Sequence, residues 1–267
     1  ATVVILAVLI AAFFVFATMY TDFLWYDQLN FAQVLTTRWI ATATMFVVGF
    51  FGMAAPMFVA IQLAYRLRPV YVRLSSQLDR YQEVVEPLRR LAMWGMPVFF
   101  GLFAGFAAAG QWEIVWQWAN GTATGQTDAQ FHLDTGFYLF DLPFYEALLG
   151  FVSAVLILCL LVSALVLYLY GSVRIGQGEL RISKAARVQL AVIAGVYLLV
   201  QAVSLWVDRY KTLTAPEDKI TGAAFTGVNA TIPGLAILAI IAALVAVLFF
   251  VTAVIGRWRF PLAATAL

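Results

Sequence analysis

The chain has 267 residues, 64% hydrophobic and 11% charged, with a mean hydropathy of +0.92 and a formal net charge of +2. Soluble domains carry about 25% charged residues, so this composition excludes an ordinary soluble domain and reads as an integral membrane protein. One cysteine, Cys159, excludes an internal disulfide, and the single histidine, His132, leaves no cluster of metal-ligand spacing.

Uncharged stretches of about 20 residues, the length that crosses hydrocarbon, mark the predicted elements in chain order. They cover residues 3–19, 39–65, 91–110, 147–173, 188–207 and 232–255, and a seventh span opens at residue 260. The fold expected over 1–267 is therefore an all-α polytopic transmembrane bundle, with six complete spans and the start of a seventh. The first run lacks the basic n-region and cleavage site of a signal peptide. Since it opens without an initiator methionine, the chain reads as a fragment. Pro56 inside the second span predicts a kink.

Two independent patterns support this map. All eight tryptophans, from Trp25 to Trp258, stand at or just beyond span ends, where an indole meets the headgroup layer. Twelve of the sixteen Lys and Arg residues flank alternate span ends, in 66–90, 171–187 and 257–260. Loop 111–146 has no basic residue but carries Glu113, Asp128, Asp134, Asp141 and Glu146. By the positive-inside rule the N-terminus is cytoplasmic and loop 111–146 extracytoplasmic, across a cytoplasmic (inner) membrane.

Segment 66–90 carries Leu74, Leu78, Tyr81, Val85 and Leu88 at helical spacing. It predicts an amphipathic cytoplasmic helix, on lipid headgroups or against the underside of the bundle. Gly101-Leu-Phe-Ala-Gly105 predicts close helix packing, within one bundle ahead of dimerisation. In loop 111–146, Trp112 and Trp116 lie one turn apart, and Asn120–Gln130 has a flexible loop's composition. Asp134-Thr-Gly136 reads as a turn. Phe137, Phe140 and Phe144 then fall on one helical face, beside Tyr138 and Tyr145. Asp141 near an N-cap, Pro143 in the first turn and Glu146 just after suit the start of the fourth span, with a short interfacial helix leading into it.

The apolar spans hold no ionisable residue, which argues against proton relays and ion pathways. No Walker loop, dinucleotide fingerprint, GxSxG or CxxC is present, so no catalytic, cofactor or metal residue is assigned. Nucleic acid is not expected as a partner, because topology already accounts for the basic residues.

Tyr20-Thr-Asp-Phe-Leu-Trp-Tyr26, Leu63-Ala-Tyr-Arg-Leu-Arg-Pro69, Asp134-x-x-Phe-Tyr-x-Phe-x-Leu-Pro-Phe-Tyr145, Asp208-Arg-Tyr210 and Thr226-x-Val-Asn-Ala-x-x-Pro233 occur in that order. With them the chain resembles uncharacterised protein family 0182, a bacterial membrane family common in actinobacteria. The resemblance implies seven spans followed by a large extracytoplasmic domain beyond residue 267. It also implies an aspartate where Gly227 stands, and it carries over no activity. The role expected first is an anchor or assembly module of a cell-envelope complex. It would present an outer platform (Trp112, Trp116, Asp134, Phe137, Tyr138, Phe140, Asp141, Pro143, Phe144, Tyr145, Asp208, Arg209 and Tyr210) to its own outer domain, an envelope lipid or another envelope protein. The alternatives are a conduit or chaperone for lipid or glycolipid, and an outer-face enzyme on a lipid-linked substrate, for which Asp134, Asp141 and Asp208 would have to converge.

Overall fold

A long uncharged run satisfies every backbone N–H and C=O within itself only by coiling, which is why apolar stretches of this length become helices. The computed structural model describes residues 2–66, 76–176, 179–215 and 222–255. They form α1 (Thr2–Gln28), α2 (Ala32–Arg66), α3 (Ser76–Ala109), α4 (Trp112–Ala119), α5 (Leu142–Leu169), α6 (Lys184–Lys211) and α7 (Ile232–Ile255). Two π-helical turns, Phe137–Asp141 and Gly227–Thr231, lead directly into α5 and α7.

Among the described residues, five helical stretches are long and apolar enough to cross a membrane: Thr2–Gln28, Ala32–Arg66, Phe137–Leu169, Lys184–Lys211 and Gly227–Ile255. A sixth is added if Met93–Ala109 and Trp112–Ala119, bent by 54°, count as one crossing. Most of the helices begin or end beyond the sequence-predicted spans, because hydropathy marks the apolar part of a helix and not its ends. The start of a seventh span, from residue 260, lies outside the described residues, as do Leu74 and the side chains of the rest of the amphipathic stripe. The backbone there is helical from Ser76 onward.

The fourth span is shorter at its C-terminal end than residue 173. Gly171 takes φ +68° and the Ser172 N–H bonds back to the Leu167 carbonyl at 2.9 Å, a left-handed cap that ends α5. A short two-stranded hairpin then interrupts the otherwise all-α fold before α6. β1 (Val173–Gly176) pairs antiparallel with β2 (Glu179–Ile182), Val173 opposite Ile182 and Gly176 opposite Glu179. The signal was the two-residue alternation of Val173, Ile175, Leu180 and Ile182 with polar neighbours about Gly176-Gln177-Gly178.

Two helix pairs, α2 with α3 and α6 with α7, are joined through α5. Met57, Ile61, Ala104, Val155, Cys159 and Val162 form the core shared by α2, α3 and α5. Ala191, Val245, Phe249 and Ala253 form that of α6 and α7. Near the hairpin, Ala64, Leu167 and Ala186 close the junction of α2, α5 and α6. There the buried Gln189 donates from Nε2 to the Ala60 carbonyl at 2.8 Å and to Ser163 Oγ at 3.2 Å. One side chain thus ties three apolar helices together, a use of polar groups suited to a hydrocarbon surround. By contrast α1 is exposed along nearly all its length.

Small residues set the α2–α3 distance. A Cβ at Gly49 would stand 2.5 Å from Ala108 Cβ and 2.8 Å from the Ala104 carbonyl oxygen. Gly101 and Gly105 lie against Phe46, Phe50 and Ala54, so the GxxxG pair serves packing within the chain. Gly49→Ala is expected to cost about 1–3 kcal/mol by overpacking. Gly150→Ala, in α5 with nothing within 4 Å of the added Cβ, is expected to leave stability unchanged or raise it by roughly 0.5–1 kcal/mol. Thermal melts of the two variants in detergent check the contrast; equal melting temperatures would show that the glycine does not set the helix spacing.

Candidate functional site

Loop 120–136 is polar and has no long ladder of its own, so its backbone groups need other partners. Two carboxylates supply them. Asp128 accepts from the Gln130, Phe131 and Leu133 amides at 2.8, 2.6 and 2.8 Å, and from the Tyr138 hydroxyl at 3.0 Å. This wraps residues 128–133 into a tight turn, in which exposed His132 takes φ +56°. Asp134 accepts through Oδ1 from the Thr124 amide (3.0 Å), the Thr124 hydroxyl (3.1 Å) and the Gly136 amide (2.6 Å), and through Oδ2 from the Gly125 amide (2.8 Å). An isolated bridge between Thr127 and Asp134 and a bond from the Thr135 amide to the Gln126 carbonyl at 2.8 Å complete the fold-back. The stretch with a flexible loop's composition is an ordered knot.

These bonds set the charge state. Burial acts to raise the Asp128 pKa, but the Phe131 and Leu133 amides, the Tyr138 hydroxyl and the Gln130 amide outweigh it and hold the carboxyl below its usual value. The Thr124 and Gly136 amides hold Asp134 low against its partial desolvation, with the Gly125 amide and the Thr124 hydroxyl adding to them. Carboxylates kept ionised and occupied in this way are structural anions, poorly placed to move a proton.

The knot delivers the chain into α5 through the π turn Phe137–Asp141. Pro143 has no N–H, and its ring would strike the carbonyl four residues earlier. The turn before it widens, and the Leu142 N–H reaches the Phe137 carbonyl, five residues back. The same device precedes α7, where Pro233 follows Ile232 and the Ile232 N–H reaches the Gly227 carbonyl. This corrects the role expected of Asp141. It stands at the N-cap position of α5 but with helical backbone and no side-chain cap bond, because the helix has already begun upstream. Gly227 opens the second π turn; a Cβ on it would lie 3.0 Å from Ala223 Cβ. Asn120 and Asn229, each close to the end of a helical segment, donate to the Trp116 and Phe225 carbonyls at 2.9 Å.

Aromatic rings weld three separate stretches into one surface, hereafter the platform. Trp118 stacks on Phe144 at 3.9 Å, and Phe144 meets Tyr145. Phe137 contacts Tyr138, Tyr145 and, at 5.4 Å, Tyr210 of α6. Tyr210 also contacts Phe131 at 4.8 Å. The Arg209 guanidinium lies 3.4 Å over the Trp206 ring and within 6 Å of Phe131 and Tyr210, a cation–π arrangement. Lys211 Nζ pairs with Glu146 Oε2 at 2.9 Å, joining α6 to α5. Phe140 covers Gly121, Trp112 and Pro143 are half-buried, and Trp116 is exposed. Asp134 and Asp141 line a common cavity of about 190 Å³ with Trp118, Phe137, Phe140 and residues 121–123. Asp208 on α6 is not in that lining, so the three acids do not gather at one point. Sequence reasoning missed Trp118 as a stacking partner, Phe131 as the link to α6, and Asp128 as the second organiser of the loop. For Asp128 the signal was an acid two residues before Gln130 and ahead of a turn.

Fold and site together define a helical module, a bundle of apolar helices of membrane-spanning length with an ordered aromatic platform at one end. The chain belongs to the Uncharacterised protein family (UPF0182), whose model matches residues 1–267. It is 58% identical over its whole length to a UPF0182 protein of Leifsonia xyli subsp. xyli, of which it covers 27%. It is 45% identical to one of Arthrobacter sp. (strain FB24) and 41% identical to one of Tropheryma whipplei, covering 27% and 28% of those chains and 100% of itself. The chain thus spans little more than a quarter of the length of these relatives. No solved structure matches it.

Because both folded pKa values lie below the ordinary 3.8, the order that Asp128 and Asp134 contribute is complete above about pH 4 and is lost as pH falls through those lower values. Amide resonances of Thr124, Gly125 and Leu133 followed from pH 6 downward should move with midpoints below 3.8. Asp134→Asn should loosen the Thr124 and Gly125 amides at neutral pH. Midpoints at or above the ordinary value would mean that the hydrogen bonds do not favour the ionised form.

Proposed function

We propose that this chain is the multi-span module of a bacterial cell-envelope complex in the cytoplasmic membrane, anchoring and assembling partners through its platform on the extracytoplasmic side. The observation that carries this is the convergence of α4, the 120–136 knot, the start of α5 and the end of α6 on one braced aromatic surface. Rings and hydrogen-bonded turns hold that surface in place before any partner arrives, and preorganised aromatic surfaces make good docking sites because little entropy remains to be lost. The outward orientation follows from charge. The platform loop 111–146 carries five acids and no Lys or Arg, while basic residues flank the opposite span ends.

Lipid passage, the competing role, calls for an apolar cleft opening toward the platform. The cavity found there is small, with two carboxylates and loop backbone in its wall, and this favours presentation over passage. An outer-face enzyme has less support, since Asp134 is saturated by donors and Asp208 stands apart.

Orientation is tested with cysteine labelling in intact cells, where buried Cys159 is silent. Gln126→Cys should react with a membrane-impermeant maleimide, and Ser76→Cys only after permeabilisation; the opposite pattern would invert the topology. The role is tested by gentle extraction and mass spectrometry. A stoichiometric protein partner, lost when Phe137 and Tyr210 are both changed to Ala, is the expected result. A single enriched lipid with no protein partner would favour the conduit instead.

A further inference from the structure

The cavity on the platform has a chemistry of its own. Its wall holds the Asp134 and Asp141 carboxylates and three aromatic rings, Trp118, Phe137 and Phe140. Asp134 is bonded by neutral donors only, which stabilise its negative charge without cancelling it. The Asp141 carboxylate has no hydrogen-bond or ion-pair partner among the described residues. No cation stands in the lining. The two nearby on α6 are engaged elsewhere, Arg209 over Trp206 and Lys211 on Glu146. Closeness of the wall depends on Gly121, where a Cβ would come within 2.9 Å of Phe140 Cβ.

Two formal negative charges, three aromatic side chains in the wall and no counter-charge around one small concavity favour a cation with an apolar skin, since aromatic rings and carboxylates both attract it. A bare divalent metal fits less well, because it needs six or more oxygen ligands and no group of ligand residues stands together among the described residues. We infer that this cavity is a binding site for an organic ammonium group, seated between the Asp141 carboxylate and the rings of Trp118 and Phe140. The site goes beyond the anchoring role and does not depend on it. The ammonium group comes either from a lipid headgroup or from a soluble amine.

The test is calorimetric titration of the purified protein in dodecyl maltoside with choline and with its neutral isostere, 3,3-dimethylbutan-1-ol. Choline should bind saturably with a Kd on the order of millimolar, as expected for so small a ligand, and the isostere about tenfold more weakly or worse. Asp141→Asn should bring choline down to the isostere's level while leaving the isostere unchanged. The source is then read in nanodiscs of phosphatidylglycerol with or without phosphatidylethanolamine. Weaker choline binding when the amine lipid is present assigns the site to headgroups, and unchanged binding assigns it to soluble amines. Equal binding of choline and its isostere, or no saturable choline binding, overturns the proposal. Those two outcomes are read on the unaltered protein, so they stand even if the variant misfolds.

Discussion

Four donors from three points of the chain converge on the Asp134 carboxylate, and the platform depends on that convergence. The Thr124 and Gly125 groups belong to the outgoing limb of the loop, and the Gly136 amide to the first turn of the helix that follows. One side chain therefore fixes the loop to the helix start and satisfies backbone groups that have no ladder to join. Asp128 does the same within 128–133 and reaches across to Tyr138. With the loop held, Phe131 and Phe137 arrive beside Tyr210, and Trp118 beside Phe144. The polar interactions set position, and the rings contribute the buried contact area.

Helix α5 is clamped at both ends by unlike chemistry. At the platform it meets α6 through Phe137–Tyr210 and the Glu146–Lys211 pair, which is partly exposed and worth less than about 1 kcal/mol by itself. At the hairpin the buried Gln189 joins α6 to Ser163 of α5 and to the Ala60 carbonyl of α2. Between those ends the contacts are apolar and close, and the glycines at 49, 101 and 105 set how near α2 and α3 come. Loss of a surface ion pair would be absorbed, whereas an added methyl group in the α2–α3 seam has nowhere to go.

The helical class and the placement of the long apolar runs are legible because apolar runs of membrane length admit one backbone solution. The start and end of α7 coincide with the expected span, since Pro233 marks its first turn. The end of α5 was misplaced because Tyr170 and Val173 look as apolar as the helix before them, while the left-handed turn at Gly171 turns on local geometry. The expected third span ends where a 54° bend separates Met93–Ala109 from Trp112–Ala119, a break that hydropathy alone does not mark. On the platform, the aromatic motif and Asp208–Tyr210 were recognisable as surface features, and their meeting was not. Contacts such as Phe131 with Tyr210 join residues far apart in sequence, and no periodicity reports them. Asp141 was misjudged because a proline in a first turn ordinarily follows a cap, and here it follows a helix already under way.

Each π turn spends one residue more than an α-helical turn needs, which rotates everything upstream by about 100° relative to everything downstream. In α5 the side chains of Phe137–Phe140 thus follow a different angular phase from those of the apolar shaft below. The platform is aimed independently of the face that the shaft shows to its surroundings. Deleting one residue just before Pro143 or Pro233 would restore a single phase along the helix and swing the upstream side chains to another side. Sequence drift in the shaft is decoupled from the aim of the platform, but the spacing between motif and proline is not free to vary. At those two points the number of residues is constrained as well as their identity.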